Sequence, residues 1–231
     1  MTETQWLECN VLEDVSWLYK EKLSDRKLRI FECAYVRQVW SELPDNALRQ
    51  AIKPCEEFAD GLANSEELLS PRKNAYQTYR GIGDIIADHG ALAINDLCRA
   101  TPQYPMGAGS AAGITTVLTE VIYIQDQNWH VARQTADEIH CRLFREVVGN
   151  PFREIQIAPR WKTSTVVSPT KATHGNRSLP MGTLDPTQFA VLADALEEVG
   201  CDNTDILTHC RELDRDHVRG CWVLDLLLGY E

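Results

Sequence analysis

Apolar residues recur at helical spacing over most of the chain, and short polar stretches divide the pattern into separate segments. Ser24 is of a residue type that often caps a helix, and an amphipathic helix is predicted to follow it. The apolar face of this helix consists of Leu28, Phe31, Tyr35, Val39 and Leu43. A second apolar stripe runs from Leu48 to Leu62, with Pro54 at a position where a helix can kink. Because the two predicted helices are adjacent, an antiparallel hairpin is expected.

The middle of the chain continues the helical pattern. Ser65 and the acids that follow it favour a helix running towards Arg80, and helices are also predicted over 110–125 and 126–148. Gly149 is a natural end for the last of these helices. The TPQYPMGAG run over 101–109 is dense in proline and glycine, which predicts a loop.

The C-terminal segment carries the clearest start and stop signals. Asp185 precedes Pro186, which suits the first position of a helix, and Gly200 lies just beyond the predicted end. A second helix is expected to begin at Asp202 or Asn203. A third helix, apolar on nearly every side, is predicted over 217–228.

Together these segments predict a mainly α-helical protein, built as an irregular multi-helix bundle or as stacked helical hairpins, with little or no strand. Residues 1–149 form an N-terminal helical region, and 184–231 form a C-terminal three-helix segment. Between them, prolines are spread over 150–183, which predicts an extended linker or loop. Whether the C-terminal segment packs on the first region as one domain is left open by the pattern.

Charge and composition narrow the partners that the chain can bind. The formal net charge of −11 disfavours affinity for nucleic-acid phosphates and for anionic membranes. No apolar run reaches the length of a membrane span, and the N-terminus lacks a basic segment followed by an apolar one. We therefore expect a cytoplasmic protein. Its eight cysteines are then expected to be reduced thiols rather than disulfides.

One group of residues near the C-terminus has the chemistry of a zinc site, namely Cys201, Cys210, His217 and Cys221. His217 and Cys221 are four residues apart and share a face if both lie on the last predicted helix. Cys201, with either Cys210 or the neighbouring His209, can then complete a tetrahedron. The stretch lacks a CxxC knuckle, however, and cysteines are common in cores. The preferred interpretation is a set of core thiols and histidines with no cofactor, and zinc is the alternative.

Other motifs give weaker support to particular chemistries. The GAGSAAG run over 107–113 contains a GxGxxA pattern but follows no hydrophobic strand, so a turn before a helix explains its glycines. The DEIH run from Asp137 to His140 supplies a single acid–histidine pair, and a solvated helix face is preferred to a metal centre there. No phosphate-binding loop of the GxxxxGK type and no HExxH motif occurs. A non-catalytic role is therefore favoured over an enzymatic one.

Resemblance to a known family comes from segments near both ends and in part of the middle. They are SDRKLRIFECAYVRQVW, FADGLANSEEL, GNPFREIQIAPRWKTSTVV and LADALEEVGCDNTDILTHCRELDRDHVRGCWVLDLLLG. These segments resemble a family of planctomycete hypothetical proteins, and HVRGCWVLDLLLG is the most distinctive part of the resemblance. It implies no activity, cofactor or catalytic residue.

The leading hypothesis is therefore a non-catalytic helical module that binds another protein or regulates it. Three alternatives remain: an enzyme or small-ligand binder with a pocket that no motif reveals, an immunity or antitoxin-like protein that uses its acidic surface against a basic partner, and a zinc-stabilised helical module.

Overall fold

A computed structural model describes residues 1–11, 23–43, 46–79, 83–100 and 110–230. The described chain forms two compact units, Met1–Phe144 and Arg145–Glu231. It is mainly α-helical, and the strands found in the described part are two short ones, so the predicted fold class is confirmed. Within these residues, no helix is both long and apolar enough to cross a membrane. The loop predicted over 101–109 lies outside the described residues.

The first unit contains six helices among its described residues and most of a seventh. They are α1 (Glu3–Glu8), α2 (Asp25–Arg37), α3 (Asn46–Ala59), α4 (Leu69–Tyr79), α5 (Ile85–Leu97), α6 (Ser110–Asp126) and α7 (Trp129–Val148). The last turn of α7 belongs to the second unit.

The second unit continues from α7 through four further helices, a 3₁₀ turn and a small hairpin. The elements are the 3₁₀ turn Pro159–Trp161, α8 (Ser164–Gly175), β1 (Arg177–Ser178), β2 (Thr183–Leu184), α9 (Pro186–Glu198), α10 (Thr204–Arg211) and α11 (Trp222–Leu228). The two strands pair antiparallel, with Arg177 opposite Leu184.

Three of the predicted helix starts are confirmed by side chains that cap them. The Ser24 hydroxyl accepts from the backbone N–H of Lys27 at 3.2 Å. Asp185 Oδ1 accepts from the N–H of Thr187 at 2.9 Å, and Pro186 follows as the first residue of α9. Asn203 caps α10, so of the two predicted starts, Asp202 and Asn203, the structure has Asn203. Such residues satisfy N–H groups that have no partner inside the helix.

The segment 150–183 is not the extended linker that its prolines predicted, because it contains α8 and the hairpin. Its prolines occupy positions that regular structure tolerates. Pro159 begins the 3₁₀ turn and Pro180 lies between the two strands, whereas Pro169 is inside α8. Buried Val166, Thr170 and Thr173 give α8 an inward face that a simple apolar count overlooks.

The last helix begins at Trp222, five residues later than predicted. Gly220 adopts a positive φ of 88°, a conformation that interrupts a helix. The backbone before it is extended instead: the His217 carbonyl accepts from the N–H of Leu184 at 2.8 Å, and Val218 forms a bridge with Thr183. His217 and Cys221 therefore do not share a helix face, and the hairpin fixes the position of His217.

The core of the second unit is apolar and surrounds the start of α11. It is formed mainly by Trp161, Val166, Leu184, Phe189, Leu192, Leu196, Ile206, Val223, Leu224 and Leu227. At its edge, Gly149 ends α7 with a φ of 74°, and a β-carbon built there would lie 2.9 Å from Trp222 Cγ. Gly149 therefore meets two requirements at once, a left-handed backbone and contact with the indole.

Replacing Gly149 with alanine is expected to destabilise the second unit by roughly 2–4 kcal/mol, because backbone strain and overpacking against Trp222 add. Gly200→Ala is the matched control: its φ is 79°, but nothing lies within 4 Å of the added carbon. That control should lose only about 1 kcal/mol. Urea unfolding followed by circular dichroism measures both values. Equal losses in the two variants would contradict the proposed contact.

Candidate metal centre

Four buried side chains of the second unit converge in its interior. One ligand atom each from Glu146, His209, His217 and Cys221 lies within 4.8 Å of the other three. All four side chains are at most 5% exposed. A carboxylate, two imidazoles and a thiol are the donor types that zinc binds in proteins.

Each of the four residues is held by a different part of the chain. Glu146 lies in the last turn of α7 and His209 in the last turn of α10. His217 belongs to the extended segment that pairs with β2, and the Phe189 ring of α9 stacks on its imidazole with 3.7 Å between ring centroids. Cys221 is the N-cap residue of α11. The site therefore joins three residues of one short segment, 209–221, to Glu146, which lies more than sixty residues earlier.

Three separations within this cluster are close to the edge length of a small tetrahedron. Glu146 Oε1 is 3.0 Å from His217 Nδ1, and His209 Nε2 is 3.1 Å from Cys221 Sγ. Glu146 Oε2 is 3.6 Å from His209 Nε2. A tetrahedral zinc with bonds of about 2.0–2.3 Å separates its ligands by about 3.3–3.8 Å. The separation of 3.6 Å lies within that range, and the other two are slightly shorter.

The sequence predicted four candidate zinc ligands, and two of them, His217 and Cys221, belong to this cluster. Cys201 and Cys210 are buried in the core of the same unit, but the four-residue group does not include them. His209, which the sequence offered as the alternative to Cys210, takes part instead. Whether any of these residues binds a metal stays a prediction.

Glu146 was missed by the sequence analysis, although a signal for it exists. It lies three residues after Leu143 and seven after Ile139, which places it on the apolar face of α7. An acid on an apolar face needs a buried partner, because burying an unpaired charge costs several kcal/mol or more. The partners here, His209 and His217, follow more than sixty residues later, beyond the reach of a search for local spacing.

The hydrogen bonds fix which nitrogen of His209 carries the proton. The indole Nε1–H of Trp222 donates to His209 Nδ1 at 3.1 Å, and an indole can only donate. A neutral His209 therefore carries its proton on Nε2, which faces Cys221 Sγ and Glu146 Oε2. In this form His209 cannot take the thiol proton. The Cys221 thiol and the Glu146 carboxylate both face Nε2 of His209. The three residues therefore do not form a Cys–His–Glu proton relay.

The protonation states of the two acidic groups follow from their surroundings. Burial alone would raise the pKa of the Glu146 carboxyl, but the neighbouring His209 and His217 hold it below its ordinary value. Arg215 adds a positive charge, with Nη1 3.7 Å from Glu146 Oε2. Burial raises the pKa of the Cys221 thiol well above its ordinary value, and the charge of Glu146 raises it further. Glu146 is therefore ionised, whereas Cys221 is a thiol unless a cation lies beside it.

The DEIH run on α7 is not the solvated helix face that its sequence suggested. Asp137 and His140 are buried, and the imidazole packs edge-on against Phe31 and Tyr35 in the first unit. Burial, with a smaller effect from the charge of Arg133, lowers the pKa of His140 to about 3. His140 is therefore a neutral core residue at physiological pH.

Comparisons with known proteins add nothing to this geometry: no family model, curated protein or solved structure matches the chain.

The lowered pKa of Glu146 predicts a particular pH dependence of stability. Because the folded-state pKa lies below the unfolded value of about 4.3, ionisation of Glu146 contributes its full stabilisation above that pH and loses it progressively as the pH falls from there to the folded-state pKa. Glu146→Gln removes this contribution. The difference in unfolding free energy between the two proteins should therefore be largest near neutral pH and shrink towards about pH 3.

Urea unfolding at intervals between neutral pH and about pH 3 tests this expectation. Glu154→Gln is the matched control, because that carboxylate belongs to the same unit but is exposed. Its pH profile should follow the wild type. A wild-type advantage over Glu146→Gln that stays constant on acidification would show that ionised Glu146 is not stabilised by the fold.

Proposed function

We propose that the second unit is a non-catalytic helical module stabilised by one zinc ion bound to Glu146, His209, His217 and Cys221. The observation that carries the proposal is the convergence of these four buried donor atoms. Charge supports it as well. A zinc ion with one carboxylate, one thiolate and two neutral imidazoles is electrically neutral overall, which suits a site without water.

The closure of the site favours a structural metal over a catalytic one. Catalytic zinc sites have three protein ligands and keep a position open for water or substrate. Here four side chains supply four ligands, and each is almost fully buried. A metal bound to them would have no open position and no route to solvent along these residues. Its contribution would be to the free energy of folding.

Zinc binding would also change the hydrogen bond between Trp222 and His209. A metal on Nε2 displaces its proton, and the remaining proton of a neutral ring then lies on Nδ1. That nitrogen faces the indole N–H at 3.1 Å, so two donors would oppose each other. The indole would have to move, and its fluorescence should report metal loading.

Protein purified without a polyhistidine tag is expected to contain about one zinc per chain by elemental analysis. Cys221→Ala should lose the metal and melt several degrees lower, because binding stabilises only the folded state. Cys210→Ala and Cys201→Ala are matched controls that remove buried thiols outside the four-residue group. They should keep the metal. Wild-type protein that neither contains nor takes up zinc would contradict the proposal.

The controls also separate the two ligand sets. If Cys210→Ala loses zinc as completely as Cys221→Ala, Cys210 is a ligand as the sequence predicted, and retention of zinc by Glu146→Gln would then exclude Glu146 from the set. Trp222→Phe supplies a second readout. It should still bind zinc but lose the fluorescence change that accompanies zinc addition to wild-type protein.

Binding of another protein is a second candidate function, which the tip of the hairpin favours. Between β1 and β2, Leu179 and Met181 are exposed, Leu179 to 67%, and Pro180 between them is exposed as well. Neighbouring apolar side chains at the apex of a short hairpin form a surface of the kind that partners bury. The hairpin also pairs with the segment that carries His217, so a bound zinc would hold its base in place.

A double variant, Leu179→Ser with Met181→Ser, is expected to lose a partner that immobilised wild-type protein retains from native lysate. Val191→Ser is the matched control, since Val191 is 60% exposed on α9 of the same unit. It should retain the partner. If the double variant binds as well as wild type and the complex dissociates at high salt, the acidic-surface hypothesis replaces this one.

A further inference from the structure

A cationic cleft lies on the first unit, whereas the four residues of the candidate metal centre belong to the second. The cleft is formed between α4 and the end of α5 and has a volume of about 460 Å³. Its lining consists of Leu69, Arg72, Lys73, Gln77, Asn95 and Arg99. Three of these six side chains are cations and none is an acid, although the chain as a whole carries a net charge of −11. The local charge is therefore opposite to that of the protein.

A hydrogen-bond network orders the two arginines of this cleft. Arg72 Nε donates to Asn95 Oδ1 at 3.1 Å, and the Asn95 amide donates in turn to Asp96 Oδ1 at 3.2 Å. Arg99 Nε donates to the same Asp96 oxygen at 3.0 Å. Asn95 is only 9% exposed, so the network rests on a buried residue. The cations are held in place before any ligand arrives, which reduces the entropy lost on binding.

The charge balance of this network leaves an anion to be supplied from outside. Arg72 and Arg99 of the network and Lys73 of the lining bring three positive charges to the cleft, and among the described residues the carboxylate of the network is that of Asp96. In both arginines, the hydrogen bond of the network is donated by Nε. The terminal nitrogens of a guanidinium can form paired hydrogen bonds to a phosphate.

We infer that this cleft binds a small organic phosphate. A phosphate monoester carries about −1.5 to −2 charges near neutral pH and accepts several hydrogen bonds, which matches two arginines and a lysine. The volume is within the range of about 300–1,000 Å³ that small-molecule sites occupy, so there is room for an organic group beyond the phosphate. Gln77 and Asn95 offer amides to its polar atoms, and Leu69 offers an apolar wall.

The probe is ribose 5-phosphate, titrated into the full chain by calorimetry at constant ionic strength, with ribose as the uncharged comparison. Saturable binding of the phosphate and none of ribose is expected. Arg72→Gln should weaken binding at least about tenfold. Lys53→Gln is the matched control, because it removes one positive charge from the same unit at a 76% exposed side chain paired with Glu57. It should bind as wild type does.

Lys73→Gln is a second test that does not disturb the core, because Lys73 is exposed. It should also weaken binding, whether or not Arg72→Gln folds. A titration with inorganic phosphate in place of ribose 5-phosphate distinguishes recognition of the phosphate group from recognition of the whole ligand. Binding of inorganic phosphate or of ribose 5-phosphate at this cleft supports the inference. Absence of saturable binding of both, or equal weakening by Lys53→Gln, would overturn it. Because the inference does not depend on zinc, metal-depleted protein should bind the probe equally well.

Discussion

The second unit depends on compensation of one buried carboxylate. Glu146 is 1% exposed and ionised, so the surrounding chain must supply positive charge or hydrogen-bond donors within a few ångströms. His217 donates directly, and His209 and Arg215 lie within 4 Å. Glu146 Oε2 nevertheless has no hydrogen bond of its own, and neither does His217 Nε2. Of these two atoms, Glu146 Oε2 faces the interior of the four-residue cluster, whereas His217 Nε2 is not the nitrogen that contacts Glu146.

This requirement explains why irregular backbone is placed at the centre of the unit. A helix through 217–221 would place His217 and Cys221 on one face, but no residue between them could then pair with β2. The extended segment instead forms a backbone hydrogen bond from Leu184 N–H to the His217 carbonyl, and Gly220 reverses the chain before α11 begins. Thus the hairpin positions His217, and the turn at Gly220 with the start of α11 positions Cys221. Pairing with β2 outweighs the local helix propensity of this segment, and β2 lies outside the short sequence window from which that propensity is judged.

The parts of the fold that sequence predicts well are those determined by local chemistry. Ser24, Asp185 and Asn203 cap helices because their side chains reach backbone N–H groups two or three residues away. Helix α8 is not predicted because prolines indicate a linker, whereas in the structure Pro159 begins the 3₁₀ turn and Pro169 lies inside α8. The candidate site was half predicted for the same reason. His217 and Cys221 stand out by spacing, but Glu146 becomes a ligand candidate only when α7 packs beside α10 and α11.

Net charge is another property of the sequence that does not predict the local arrangement of side chains. A value of −11 describes the field far from the protein, and it argues against general affinity for polyanions. At contact distance the arrangement of a few side chains decides, because interactions beyond about 8–10 Å are largely screened at physiological ionic strength. An acid can then be buried against histidines in one unit, while three cations line a cleft in the other. The cleft opposes the net charge of the chain, whereas the buried acid of the second unit is compensated by the histidines and the arginine around it.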